Sequence, residues 1–137
     1  MKICICCSLS FGDEVREAAQ KLEELGHEVL LPNGIINRLI EQEDFDPVRA
    51  KVDTDSNHKH VDKIRVSDAV LVCNYDKNNV KNYIGANSFA EMFAAYYFNK
   101  PIYVLNKLPD MPYINDEIGS FGVEVLKGDL EKIGDGE

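Results

Sequence analysis

Residues 2–32, KICICCSLSFGDEVREAAQKLEELGHEVLLP, read as strand, loop, helix and strand. KICICC is a short β-branched and Cys-rich run, and SLSFG after it is a loop signature. Asp13 stands where a helix N-cap belongs, and Val15, Ala18, Ala19, Leu22 and Leu25 share one face of a helix expected from about Glu14 to Leu25. Gly26 follows as a left-handed C-cap, and Val29, Leu30 and Leu31 make a second strand that Pro32 stops. A strand-helix-strand unit of this length crosses over right-handedly, so its two strands are expected to pair in parallel.

The alternation continues toward the C-terminus. Residues 57–67, NHKHVDKIRVS, have helical spacing that turns Val61, Ile64 and Val66 inward, and Asp68 introduces the run Ala69 to Cys73. That run is apolar on both faces, which suits a central strand. Ser88 opens a helix through about Phe98, and Lys100-Pro101 leads into a fourth strand, Ile102 to Leu105. Tyr113 to Phe121 reads as a short helix, Val123 to Leu126 as a fifth strand and Leu130 to Ile133 as a turn, with residues 134–137 expected to fray. The pattern weakens from Pro32 to Asp55. Ile35, Ile36, Leu39 and Ile40 have helical spacing, and EQEDFDPVRAKVDTD (41–55) is expected to be a polar connection broken at Pro47, mobile or covered by a partner. These elements predict one doubly wound α/β domain of flavodoxin-like or Rossmann-like form over residues 1–137, with five parallel strands in the order 2-1-3-4-5. The chain reversal between strands 1 and 3 then creates the ligand crevice.

Composition narrows the partners. With 137 residues, 45% of them hydrophobic, one domain can bury a core without help from disulfides or metal. A net charge of -9 opposes a nucleic-acid polymer, whose affinity depends on clustered Lys and Arg. No apolar run is long enough for a membrane span, and the Cys-rich opening is unlike a signal peptide, so a cytoplasmic protein is expected. Cys4 and Cys6 face one side of the first strand and Cys7 the other, so these three do not converge on one metal. Cys4, Cys6, Cys7 and Cys73 are read as small core residues, with Cys7 at the strand end as the alternative reactive thiol. His58 and His60 flank Lys59 without the i, i+4 spacing of helical metal ligands, and a solvated face is expected for both. His27 is read as structural.

Ligands of open parallel sheets sit beyond the carboxyl ends of the strands, which selects the loops 8–12, 74–87 and 106–113. The second runs into the helix that carries Glu91. A carboxylate near a helix start is favoured in its ionised form and can attack an anomeric carbon. Equally, Ser88 and Glu91 match the S-x-x-E capping box. In the first loop, Ser8, Ser10, Phe11 and Gly12 precede a helix start and can hold a phosphate through hydroxyls and amides, or form an ordinary turn. No GxxxxGK[ST] or GxGxxG motif is present. Tyr83 is placed to stack on a base, beside Gly85, Asn87 and Ser88.

The segment from Asp68 to Leu105, with SDAVLVCNYD (67–76) and NYIGANSFAEMFAAYYFNKPIYVL (82–105), resembles the nucleoside 2-deoxyribosyltransferases and the related deoxynucleoside 5′-monophosphate N-glycosidases. The resemblance covers about a third of the chain closely. It implies that Glu91 is the nucleophile, that the substrate is a nucleoside or nucleotide, that no cofactor or metal is needed, and that a neighbouring subunit completes the site. It departs from the family where Gly85 stands in place of an Asp six residues before the nucleophile, and where Asn74 stands in place of the strand-end aspartate. Asp76, two residues on, is the candidate for proton transfer to the leaving base. The alternative is a non-catalytic nucleotide-binding module on the same fold. A flavin mononucleotide carrier lacks a suitable Ser/Thr-rich loop, and a phospho-acceptor receiver lacks its acidic pair. The Tyr- and Phe-rich helix from Phe89 to Phe98 points to a homo-oligomer.

Overall fold

The computed structural model describes residues 1–134, so the expected fraying of residues 135–137 lies outside the described residues. Strands β1 (Lys2–Cys7), β2 (Glu28–Leu30), β3 (Ala69–Cys73), β4 (Ile102–Val104) and β5 (Glu124–Val125) form one parallel sheet in the order β2-β1-β3-β4-β5. The expected fold is the observed one. β1 and β3 pair along Ile3↔Ala69 to Cys7↔Cys73, which brings the loops after both strands to one end of the sheet.

Alternation of side chains across the sheet divides the core in two. Ile3, Ile5 and Leu71 point to the face covered by α1 (Gly12–Glu24), where Val15, Ala19 and Leu22 meet them. Cys4, Cys6, Val70 and Val72 point to the opposite face. There they meet Ile64 of α4 (Ser56–Val66), Met92 and Ala95 of α5 (Ala86–Tyr97), and Ile118 of α6 (Pro112–Ser120). All five residues of β3 are buried, as its apolar run predicts for a central strand. Among the described residues, no helix is long and apolar enough to cross a membrane.

Local differences have identifiable causes. Asp13 lies inside the first turn of α1 and is not its cap, because Ser8 caps a 3-10 turn, Leu9–Phe11, that feeds directly into the helix. Between Pro32 and Asp55 the helical spacing is real but interrupted: α2 (Asn33–Ile36) ends and Arg38 turns left-handed (φ 51°) before a second 3-10 turn, Leu39–Glu41. The expected polar connection contains α3 (Pro47–Thr54). Asp46 caps it by accepting from the Val48 and Arg49 amides at 3.0 and 3.2 Å, and Pro47 occupies its first turn. Val48 and Val52 of α3 are exposed, so no apolar stripe announces this helix in the sequence. In α4 the inward residues are His60 and Ile64, whereas Val66 is exposed.

Candidate active site

At the carboxyl end of the sheet a cleft of about 360 Å³ opens between the loop after β1, the segment 32–63 and the start of α5. Its walls include Ser8 and Ser10 from the first loop, Tyr83, Gly85, Asn87 and Ser88 from the second, and Glu91 from α5. The volume lies within the range of small-molecule sites.

Glu91 forms part of the cleft floor. α5 begins at Ala86 with Gly85 at the N-cap and no side-chain cap bond, so Ser88 and Glu91 do not form a capping box and Glu91 falls in the second turn. Burial, and not the helix start, governs its acidity: the residue is 7% exposed and its carboxyl is pushed up to about 7, against the pull of His60. Ionisation held by the helix start is therefore corrected to a carboxyl poised near neutrality.

His60 is the neighbour that the sequence did not disclose. It is 5% exposed and its Nε2 stands 3.3 Å from Glu91 Oε2, where a solvated histidine was expected. The same nitrogen lies 3.6 Å from Cys4 Sγ and 3.7 Å from Cys6 Sγ, on the strand beneath. Burial works to lower the His60 pKa, but Cys4 and Glu91 outweigh it and the net shift is upward. The Cys4 thiol is drawn down to about 6, chiefly by Cys6, while Cys6 is pushed well above the ordinary thiol value by Cys4 and burial. Cys7 also lines the cleft, yet burial holds its thiol well above the ordinary range, which fits a core residue and not a reactive thiol. A clue to His60 lay in its i, i+4 spacing to Ile64, on the buried stripe of α4. His58, by contrast, is exposed and pairs with Asp55 at 2.6 Å.

The other end of the cleft is polar. Ser8 Oγ lies 2.9 Å from Ser10 Oγ and accepts from Lys77 Nζ at 2.9 Å, and Lys77 also stands 5.5 Å from the centre of the Tyr83 ring. Two hydroxyls and an ammonium thus converge where the loops after β1 and β3 meet. Phe11 is turned into the core against Tyr75, and Gly12 faces a separate shallow depression, so neither lines the cleft.

Asn74 and Asp76 are placed outside the cleft lining. Asn74 is fully buried and ties two loops together: its side-chain oxygen accepts from the Asn106 amide at 2.9 Å, and its NH2 faces the carbonyls of Asn82, Asn106 and Lys107. Asp76 is exposed and its Oδ1 accepts from the Asn82 amide at 3.0 Å. The loop 106–113 makes no wall of the cleft, whose remaining wall comes from segment 32–63.

No protein-family model matches the chain. No curated protein matches it. Solved structures do. The 2-deoxyribosyltransferase of Bacillus psychrosaccharolyticus is similar with a TM-score of 0.56 and 23% identity, over 76% of this chain and 71% of that one. The CMP N-glycosidase of Clostridium botulinum is similar with a TM-score of 0.52 and 15% identity, over 91% and 85%. The flavoenzyme NAD(P)H:acceptor oxidoreductase FerB of Paracoccus denitrificans has a TM-score of 0.50 and 16% identity, over 98% and 84%. At these identities the likeness is one of fold, and three different activities on one scaffold leave function to be argued from the site.

Proposed function

We propose that this protein cleaves or transfers at the N-glycosidic bond of a nucleoside or its 5′-monophosphate, with Glu91 as nucleophile. The observation that carries the reading is Glu91 itself, a buried carboxyl in the floor of the cleft whose Oε1 has no hydrogen-bond partner among the described residues. A partnerless buried oxygen on a residue that lines a ligand-sized space is suited to a group that arrives with the substrate. Two of the similar structures are, by name, a 2-deoxyribosyltransferase and a CMP N-glycosidase, which supports the same chemistry here.

In this reading the carboxylate attacks C1′, the C1′–N bond breaks with its electrons leaving on the base, and water or a second base displaces the glutamate. His60, 3.3 Å away, favours the ionised carboxylate. Lys77, Ser8 and Ser10 supply donors for a 5′-phosphate, and Tyr83 supplies aromatic surface for the base. A second copy of this chain is the expected macromolecular partner, docking on the exposed Phe93, Tyr96 and Tyr97 of α5.

The test is chromatographic. Purified, chelator-treated protein is incubated with deoxynucleosides, ribonucleosides and their 5′-monophosphates, with and without a second free base. Base release from monophosphates alone identifies an N-glycosidase, and base exchange a transferase. No reaction from folded protein across the panel overturns the reading and leaves a binding module.

A further inference from the structure

We propose that Cys6, His60 and Glu91 form a binding site for a divalent transition-metal ion of the zinc type beneath the cleft, and that an ion held there switches the site off. The second half rests on the proposed role of Glu91; the first stands by itself.

Three polar heads converge on one nitrogen. His60 Nε2 is 3.6 Å from Cys4 Sγ, 3.7 Å from Cys6 Sγ and 3.3 Å from Glu91 Oε2. An imidazole nitrogen carries one proton or one lone pair, and Cys4 has further partners in the Ile5 carbonyl at 4.0 Å and in Cys6, so hydrogen bonding to this nitrogen does not account for Cys6 and Glu91 at once. Coordination of one ion accounts for Cys6, His60 and Glu91 together. With Zn–S near about 2.3 Å and Zn–N and Zn–O near about 2.1 Å, a tetrahedral site sets S···N at about 3.6 Å and N···O at about 3.4 Å. The ligand atoms of Cys6, His60 and Glu91 all lie within 4.8 Å of one another, and all three residues are buried. Cys4 Sγ touches His60 Nε2 at 3.6 Å but stands outside this set, so a fourth ligand would be water or solvent from the cleft.

The donor chemistry selects the ion. A thiolate and a carboxylate balance the charge of a divalent cation, and sulfur with imidazole favours zinc-type metals over the oxygen-seeking magnesium and calcium. His60 and Glu91 line the cleft, so the ion has a route in, while Cys6 lies fully buried behind them. On binding, the Cys6 thiol yields its proton to solvent as the sulfur–metal bond forms, with no change of oxidation state. Coordination of Glu91 removes its lone pair from attack on a sugar, so metal and substrate compete for the same carboxylate.

The experiment uses the full chain, reduced and stripped of metal, and titrated with Co²⁺. One equivalent should produce the visible bands of tetrahedral cobalt and a thiolate-to-cobalt charge-transfer band, both erased by Zn²⁺. Cys6→Ser and His60→Gln should each weaken binding by roughly a hundredfold or more, since even outer-shell changes cost ten- to a hundredfold. His58→Gln, an exposed site, should leave the titration unchanged. Circular dichroism checks that each stripped variant is folded, and Glu91→Gln, nearly isosteric, repeats the test if the other two are not. A folded wild type without the charge-transfer band, or a titration unaltered by Cys6→Ser, overturns the metal site. Base release should fall when one equivalent of Zn²⁺ is added and return with chelator. Base release that instead requires the metal overturns the inhibitory assignment, while metal binding without any base release under either condition removes the enzymatic reading and leaves the metal site standing.

Discussion

His60 Nε2 lies 3.3 Å from Glu91 Oε2, joining α4 to α5 across the end of β1 with both side chains nearly excluded from solvent. This contact puts an imidazole beside Glu91, the one carboxyl that lines the cleft among the described residues.

Glu91→Gln keeps the side-chain volume and removes the nucleophile. Base release should fall by about a thousandfold or more, while nucleotide affinity measured by calorimetry stays close to that of the parent. Equal loss of binding and turnover would make Glu91 a structural residue.

Lys77→Ala should act on one class of substrate only. Lys77 donates to Ser8 Oγ at 2.9 Å, at the polar end of the cleft. KM for 5′-monophosphates should rise roughly ten- to a hundredfold, the worth of one charge-assisted contact, with kcat and the constants for unphosphorylated nucleosides little changed. A matching rise for both classes would place the phosphate elsewhere.

Asn74→Asp is the substitution the family resemblance invites, and the structure argues against it. The Asn74 NH2 faces three carbonyl oxygens at 3.1 to 3.3 Å, and a carboxylate there would meet them without a proton to share. Thermal unfolding should show a loss of about 2–4 kcal/mol, with no gain in base release. A neutral melting temperature would mean that the loops re-form around the acid.

For the proposed homo-oligomer, wild type should measure larger than one chain by light scattering, and Phe93→Glu combined with Tyr97→Glu should reduce the mass to a monomer. Phe93 is 55% exposed and Tyr97 73% exposed on α5, where Phe93 meets Phe121 edge-on at 6.0 Å and Tyr96 meets it at a tilt at 5.3 Å. An unchanged mass would place the contact between copies on another face.

Much of this molecule was legible from residue order, because local rules govern it. Short apolar runs mark β1 and β3, period-3.6 spacing marks α1, the crossover rule makes the strands parallel, and strand reversal locates the crevice. Glu91 could be singled out because it follows a polar loop on an apolar helix. The short α3 escaped because its two valines face solvent, so only the Asp46-Pro47 start signals it.

What the order of residues could not specify is the surroundings of Glu91. His60 sits in a run of charged residues whose local pattern reads as solvated, and its burial depends on where α4 lies against β1. The cysteines it meets are 54 and 56 residues away in the chain, and the carboxyl 31 further on (91 − 60). Residue order therefore determined the sheet, the crevice and the acid within it. Tertiary structure alone decided that the acid is desolvated, because removal of water depends on elements brought together from distant parts of the chain.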